Sequence, residues 1–368
     1  MAERSAFPTY LQMHERVPLR AWWVLRGLGL AVALAVIGLA FVDPPTGFAI
    51  FWGLIIPLLP VLFFVAPGFW RNVCPMATVN QLPRVLGFTR ALTMPAPFRE
   101  YCYVIGILLF IAIVPARKFL FEQNGAALGA LLIALLVTPF LAGIALKGKS
   151  GWCSSMCPLL PVQRLYGQTP FVMVRNAHCR TCVGCVKNCY DFNPPVAYMA
   201  DLYDTDTHRS GYRKFFAGAF PGLVIAFYRV DTPPAVGVGA MYLQFAGFLL
   251  VSLGIFYVLE VFLKITVLKI TTLFAVAGLN LYYFFALPSV GAHVNAALSV
   301  ELPSWWAWPL QAVLAGLSAV WIARTHRNET RYVAHALAPK PARIGSVAVA
   351  NLRAGAATRK PEEESIAT

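Results

Sequence analysis

Eight cysteines occur in the chain, and four of them fall in one run, Cys179-Arg180-Thr181-Cys182-Val183-Gly184-Cys185-Val186-Lys187-Asn188-Cys189. The spacing is C-x2-C-x2-C-x3-C, a pattern that ligates iron–sulfur clusters. The reason is geometric. Two-residue gaps in a tight loop turn three thiolates toward one centre and aim backbone N–H groups at the sulfides. Gly184 permits the close turn. Arg180 and Lys187 supply positive charge against a thiolate-bound cluster. Zinc and a disulfide framework are the alternatives. Zinc sites usually pair two C-x2-C elements across a longer gap, and disulfides are disfavoured on a cytoplasmic loop. The run therefore predicts a [4Fe–4S] cluster whose irons are held by Cys179, Cys182, Cys185 and Cys189. In two-cluster ferredoxins the fourth cysteine serves the other cluster and a proline follows it. Here Tyr190 follows Cys189, which leaves the partner of Cys189 open.

A second constellation is Gly151-Trp152-Cys153-Ser154-Ser155-Met156-Cys157-Pro158. Residues four apart are neighbours on a helix, so both thiols would share one face before Pro158 ends it. Cys74-Pro75 repeats the motif's end. It opens a weak internal repeat in which Val79, Gln81, Arg84 and Gly87 correspond to Val162, Gln163, Arg164 and Gly167. Each copy follows an apolar hairpin, so a duplication would bring both Cys-Pro turns to one membrane face. These residues predict a second [4Fe–4S] cluster with Cys74, Cys153, Cys157 and Cys189 as candidate ligands. Two clusters need eight ligands and the set supplies seven, so either Cys189 closes the first cluster and the second has an unusual ligand, or a single cluster is present. Cys102 has no partner pattern and reads as a packing residue.

The elements that must carry these thiols are apolar. The chain of 368 residues is 58% hydrophobic and 12% charged, with a mean hydropathy of +0.65. A soluble domain has about 25% charged residues. Uncharged runs extend over Gly27–Val42, Phe48–Ala66, Tyr101–Ala116, Gln123–Leu146, Thr232–Leu259, Ile270–Leu287 and Leu302–Ala323. A membrane span needs about 20 apolar residues. The expected fold is an all-α polytopic membrane protein of about six to eight transmembrane helices carrying a ferredoxin-like [4Fe–4S] loop. Phe215–Tyr228 is apolar but short, and reads as interfacial or re-entrant. The segments are 1–20, N-terminal and cytoplasmic; 21–167, the duplicated hairpins; and 168–195, the iron–sulfur loop. They continue with 196–231, a connector; 232–323, a second helical group; and 324–368, a basic tail that reads as disordered.

Charge orients the chain. The net charge is +14. Basic residues precede the first run and follow the second, and ten lie between Lys147 and Arg229. By the positive-inside rule these segments are cytoplasmic. Because the charge flanks spans, nucleic-acid binding is not expected. The first span reads as its own insertion signal, with no cleaved leader. One conflict stands: seven spans put the tail outside, yet Arg324–Lys360 holds eight basic residues. Trp305, Trp306 and Trp308 read as an aromatic belt, and Glu260, Lys264 and Lys269 as a polar turn between helices. No phosphate loop, nucleotide fingerprint or hydrolase elbow is present.

Paired hairpins ending in C-x3-C-P, followed by ferredoxin cysteines, resemble the membrane polyferredoxin family. That family includes membrane quinol dehydrogenase subunits of periplasmic nitrate reduction, nitrous-oxide-reductase maturation proteins and oxidase-assembly iron–sulfur proteins. The resemblance covers roughly residues 20–195. Cys153, Cys157 and Pro158 match the second membrane motif in full. Cys74 and Pro75 match half of the first, with Trp70 at its first cysteine position. There is one ferredoxin run where many members have two, and residues after 232 match nothing in the family. The resemblance implies electron transfer in the bacterial inner membrane, with the cysteine loop on the cytoplasmic side. Electrons would pass between a cytoplasmic donor or the quinone pool and a redox partner protein. The alternative is a maturation factor whose cluster supplies reducing power to metal insertion.

Overall fold

The apolar runs fold as helices, as backbone in a bilayer must satisfy its hydrogen bonds internally. The computed structural model describes residues 17–174, 182, 190–191, 194–203, 208–298 and 301–337. No strand occurs among the described residues beyond one isolated bridge, Leu92 to Leu146. One compact unit extends to Glu329 and a second comprises Thr330–Thr368, of which the described residues are the last turns of a helix.

Two hairpins open the chain. The first is α1 (Leu19–Val42) and α2 (Pro44–Val65), which meet at Asp43, where Pro44 starts the new helix. Two short helices follow, α3 (Pro67–Val73) and α4 (Pro75–Val85). The second hairpin is α5 (Ala96–Ala116), continued by a π-helical turn over Arg117–Phe121, and α6 (Gly125–Ala145), capped by Asn124. A tight turn then leads to α7 (Leu160–Tyr166). Beyond it come α8 (Pro194–Tyr203), α9 (Arg209–Arg229), α10 (Val238–Leu263), α11 (Val267–Leu298) and α12 (Ala307–Leu337).

Six of these helices are long and apolar enough to cross a membrane: α1, α2, Tyr101–Phe121 of α5, α6, α10 and Val267–Asn295 of α11. The multi-pass membrane character expected from composition is therefore present. The seventh run, Leu302–Ala323, is not among the six. Its first residues precede the helix, and α12 carries Arg324 and a charged C-terminal half.

One expectation changes. Phe215–Tyr228 reads from sequence as an interfacial piece, but it is the body of α9, a helix of 21 residues. Phe216 to Val224 are all buried, packed chiefly against α10 and α11. Its ends are tied as well: Lys214 pairs with Glu260 of α10 at 2.6 Å, and Lys118 donates to the Val230 carbonyl. The central helix thus faces protein, and its neighbours carry the lipid-facing apolar surface.

Proline also couples the halves. Pro57 and Pro60 weaken the hydrogen-bond ladder of α2. Tyr283 of α11 inserts there: the Val61 N–H donates to its hydroxyl at 3.1 Å, and the hydroxyl donates to the Pro57 carbonyl at 2.5 Å.

Candidate functional site

Both Cys-Pro turns face one small cavity. Cys74 ends α3 with an extended backbone, as a residue before proline prefers, and Pro75 starts α4. Cys157 stands in the same relation to Pro158 ahead of α7. Cys74, Cys153 and Cys157 line the cavity together with Trp70, Met76 and Lys149, among others. All three thiols are buried. The 153–157 segment is a series of tight turns, in which the N–H groups of Ser155, Met156 and Cys157 donate to the Trp152 carbonyl, rather than the regular helix its spacing suggests.

Burial, aided by Cys74, pushes the Cys157 thiol up to about 12 against the opposing pull of the Leu159 and Leu160 backbone N–H groups and the Arg71 guanidinium. Burial likewise raises Cys153 and Cys74, opposed at both by Lys149 and Arg71. The cavity therefore favours neutral thiols when nothing is bound, and its two cations favour a thiolate set.

Those cations belong to a buried network that sequence reading misses. Arg71 donates to the Asp191 carboxylate through two nitrogens and to Gln163 Oε1 at 3.0 Å. Lys149 donates to the Arg71 carbonyl at 3.0 Å and lies 3.5 Å from Asp191. Tyr190 donates to the buried carboxylate of Asp201. Arg164 stacks on Tyr190 at 4.6 Å and on Tyr103 at 4.0 Å. The two residues after Cys189 are thus clamped to the membrane-edge turns by separate ion clusters.

Of the ferredoxin run, Cys182 is described. It accepts from the Lys149 backbone N–H at 3.3 Å and does not line the thiol cavity. Cys179, Cys185 and Cys189 lie outside the described residues. Cys102 is fully buried against Met94, 3.7 Å from sulfur to sulfur, away from the cavity. Among the described residues no three His, Cys, Asp or Glu side chains are placed to hold a single metal ion.

Beside the thiol cavity is a much larger, partly open one, about 460 Å³, lined chiefly by α1, α2, α5, α6, α9 and α11. Its wall is almost wholly apolar. At one end are Arg117, Trp52, Phe227 and Tyr228; at the other are Trp70, Met76 and Pro158. Arg117 stacks on Trp52 at 4.4 Å and Phe227 at 4.8 Å. A volume within about 300–1,000 Å³ is typical of small-molecule sites. Trp70 and Met76 line both cavities. No protein-family model, curated protein or solved structure matches the chain.

Proposed function

We propose that this chain is a membrane electron-transfer protein holding [4Fe–4S] clusters, with its cysteine loop on the cytoplasmic face of a bacterial inner membrane. The observation that carries the reading is the C-x2-C-x2-C-x3-C run. Cys179, Cys182 and Cys185 hold the first cluster, with Cys189 as its fourth ligand or as a bridge to the second. Cys74, Cys153 and Cys157 hold the second. A thiolate-held cluster supplies one-electron transfer.

Two features support the second site. Its three thiols line one cavity. Arg71 and Lys149 place two positive charges beside it, against the single described carboxylate of Asp191. The protein's own part is to bind and shield: α3, α4 and α7 fix the thiols, and the hairpins exclude water from them. The apolar cavity suits a bilayer-borne redox partner, and the polyferredoxin resemblance makes that partner a quinone.

Anaerobic purification with iron and sulfide counts and EPR tests the reading. About eight irons per chain, falling to about four in a Cys153→Ser/Cys157→Ser variant, is the expected result for two [4Fe–4S] centres. Cys182→Ser should remove the loop cluster. Iron content and EPR unchanged in Cys182→Ser would refute the loop assignment. About four irons, unmoved by the double substitution, would refute the second site.

A further inference from the structure

Trp70 stands where a full C-x3-C-P motif would have its first cysteine. The step from Trp70 to Cys74 equals that from Cys153 to Cys157. Its ring meets Phe63 edge-on, with centroids 5.8 Å apart. Its indole N–H is buried, and no atom among the described residues accepts it. Buried donors are rarely left unmatched, because desolvating them without a partner is costly. Among the described residues Trp70 is the one unmatched indole of three, with Trp152 and Trp321, that borders a cavity, so an occupant of one of its two cavities can supply the acceptor. The large cavity is walled by hydrocarbon. The small one is walled by sulfur and cations, so an occupant there brings acceptors with it.

We propose that Trp70 is a positioning residue for the group held by Cys74, Cys153 and Cys157. Its indole N–H donates to sulfur of that group, and its ring closes the place a fourth thiolate would take, separating the group from the apolar cavity. The proposal rests on the second-cluster reading above. A hydrogen bond to cluster sulfur stabilises the more negative, reduced form and raises the reduction potential.

The test is an EPR-monitored redox titration of the full chain, purified anaerobically. The relevant signal is the one lost in the Cys153→Ser/Cys157→Ser variant. Trp70→Phe keeps a ring and removes the donor. Expected are unchanged iron and a midpoint moved to more negative potential, with the loop signal unmoved. Trp321→Phe removes another buried, unmatched indole N–H that lines neither cavity, and should leave the midpoint in place. An unmoved midpoint in Trp70→Phe overturns the proposal, as does an equal shift in Trp321→Phe. If Trp70→Phe loses iron from this site, Trp70→Gln, which restores an N–H donor, must recover it; failure to recover also overturns the proposal. A wild-type chain showing the loop signal alone ends the second-cluster reading itself, before any Trp70 variant is made.

Discussion

Arg71, Lys149 and Asp191 put three charges in a space from which water is largely excluded, their side chains being 6%, 3% and 5% exposed. Burial pulls the Arg71 guanidinium down, but the Asp191 carboxylate more than reverses this and holds it well above the ordinary arginine value. Removing one partner of such a pair leaves a buried charge uncompensated, at a cost of about 3–5 kcal/mol. Asp191→Asn should destabilise the chain on that scale in thermal unfolding in detergent. Asp191→Glu should lose much less. A loss below about 1 kcal/mol for Asp191→Asn would mark the pair as a solvated surface contact. This network was illegible in the sequence, because Arg71 and Asp191 are 120 residues apart and neither belongs to a periodic pattern. Arg71 and Lys149 read there simply as positive-inside charges. The two Cys-Pro turns were legible because a residue before proline is biased to extended backbone and a following proline marks a turn; the C-x2-C-x2-C-x3-C run, apart from Cys182, lies outside the described residues.

The helices make the site by approaching closely, and small residues allow it. Gly143 of α6 lies against α4, where an added Cβ would sit 2.0 Å from the Asn80 carbonyl oxygen. Asn80 in turn donates to the Pro139 carbonyl at 2.8 Å, fixing the register of the two helices. Gly143→Ala should therefore cost about 1–3 kcal/mol through overpacking and lower the thermal midpoint. Gly27→Ala on α1 meets no atom within 4 Å and should be neutral or stabilising by about 0.5–1 kcal/mol. Equal effects from the two substitutions would rule out close packing as the cause. Gly106 of α5 plays the same part at the site, since its Cβ would lie 2.9 Å from the Cys157 carbonyl oxygen. Gly106→Val should push α5 off the Cys157 turn and, under the proposed second cluster, reduce the iron held there, measured against the loop signal as internal reference. Most spans were readable from apolar length. The helix α9 was not, because Arg209, Arg213, Lys214 and Arg229 crowd its ends and leave 14 uncharged residues between. Hydropathy measures fitness to face lipid, and α9 is buried in protein instead.

Taken as a membrane crossing, α9 removes the conflict in the charge pattern. Its 21 residues span roughly 31 Å at about 1.5 Å per residue, near the thickness of a bilayer core. Its basic residues sit at its two ends, where long side chains reach the interface: Arg213 donates to the Tyr198 carbonyl and Gln168, and Lys214 pairs with Glu260. The polar contacts of the lower bundle agree, because Gln168 also donates to Thr272 at the start of α11 at 3.1 Å, and Thr325, just past the apolar part of α12, donates to Thr169 at 3.0 Å. Six helices are long and apolar enough to cross a membrane; counting α9 and α12 as crossings too would bring the passes to eight. The link at 264–266 then shares a face with the 147–208 segment, and the link at 230–237 lies on the opposite face. Basic Lys264 and acidic Asp231 fall on the sides that the positive-inside rule assigns. Cysteines introduced at exposed positions of the two links test this, scored against the unsubstituted chain, in which Cys74, Cys102, Cys153 and Cys157 are buried but Cys182 is partly exposed. In intact cells a membrane-impermeant maleimide should label Ala235→Cys, and should reach Thr266→Cys only after permeabilisation. The reverse pattern would show that α9 turns back without crossing, and would place the whole 232–298 group upside down relative to this arrangement.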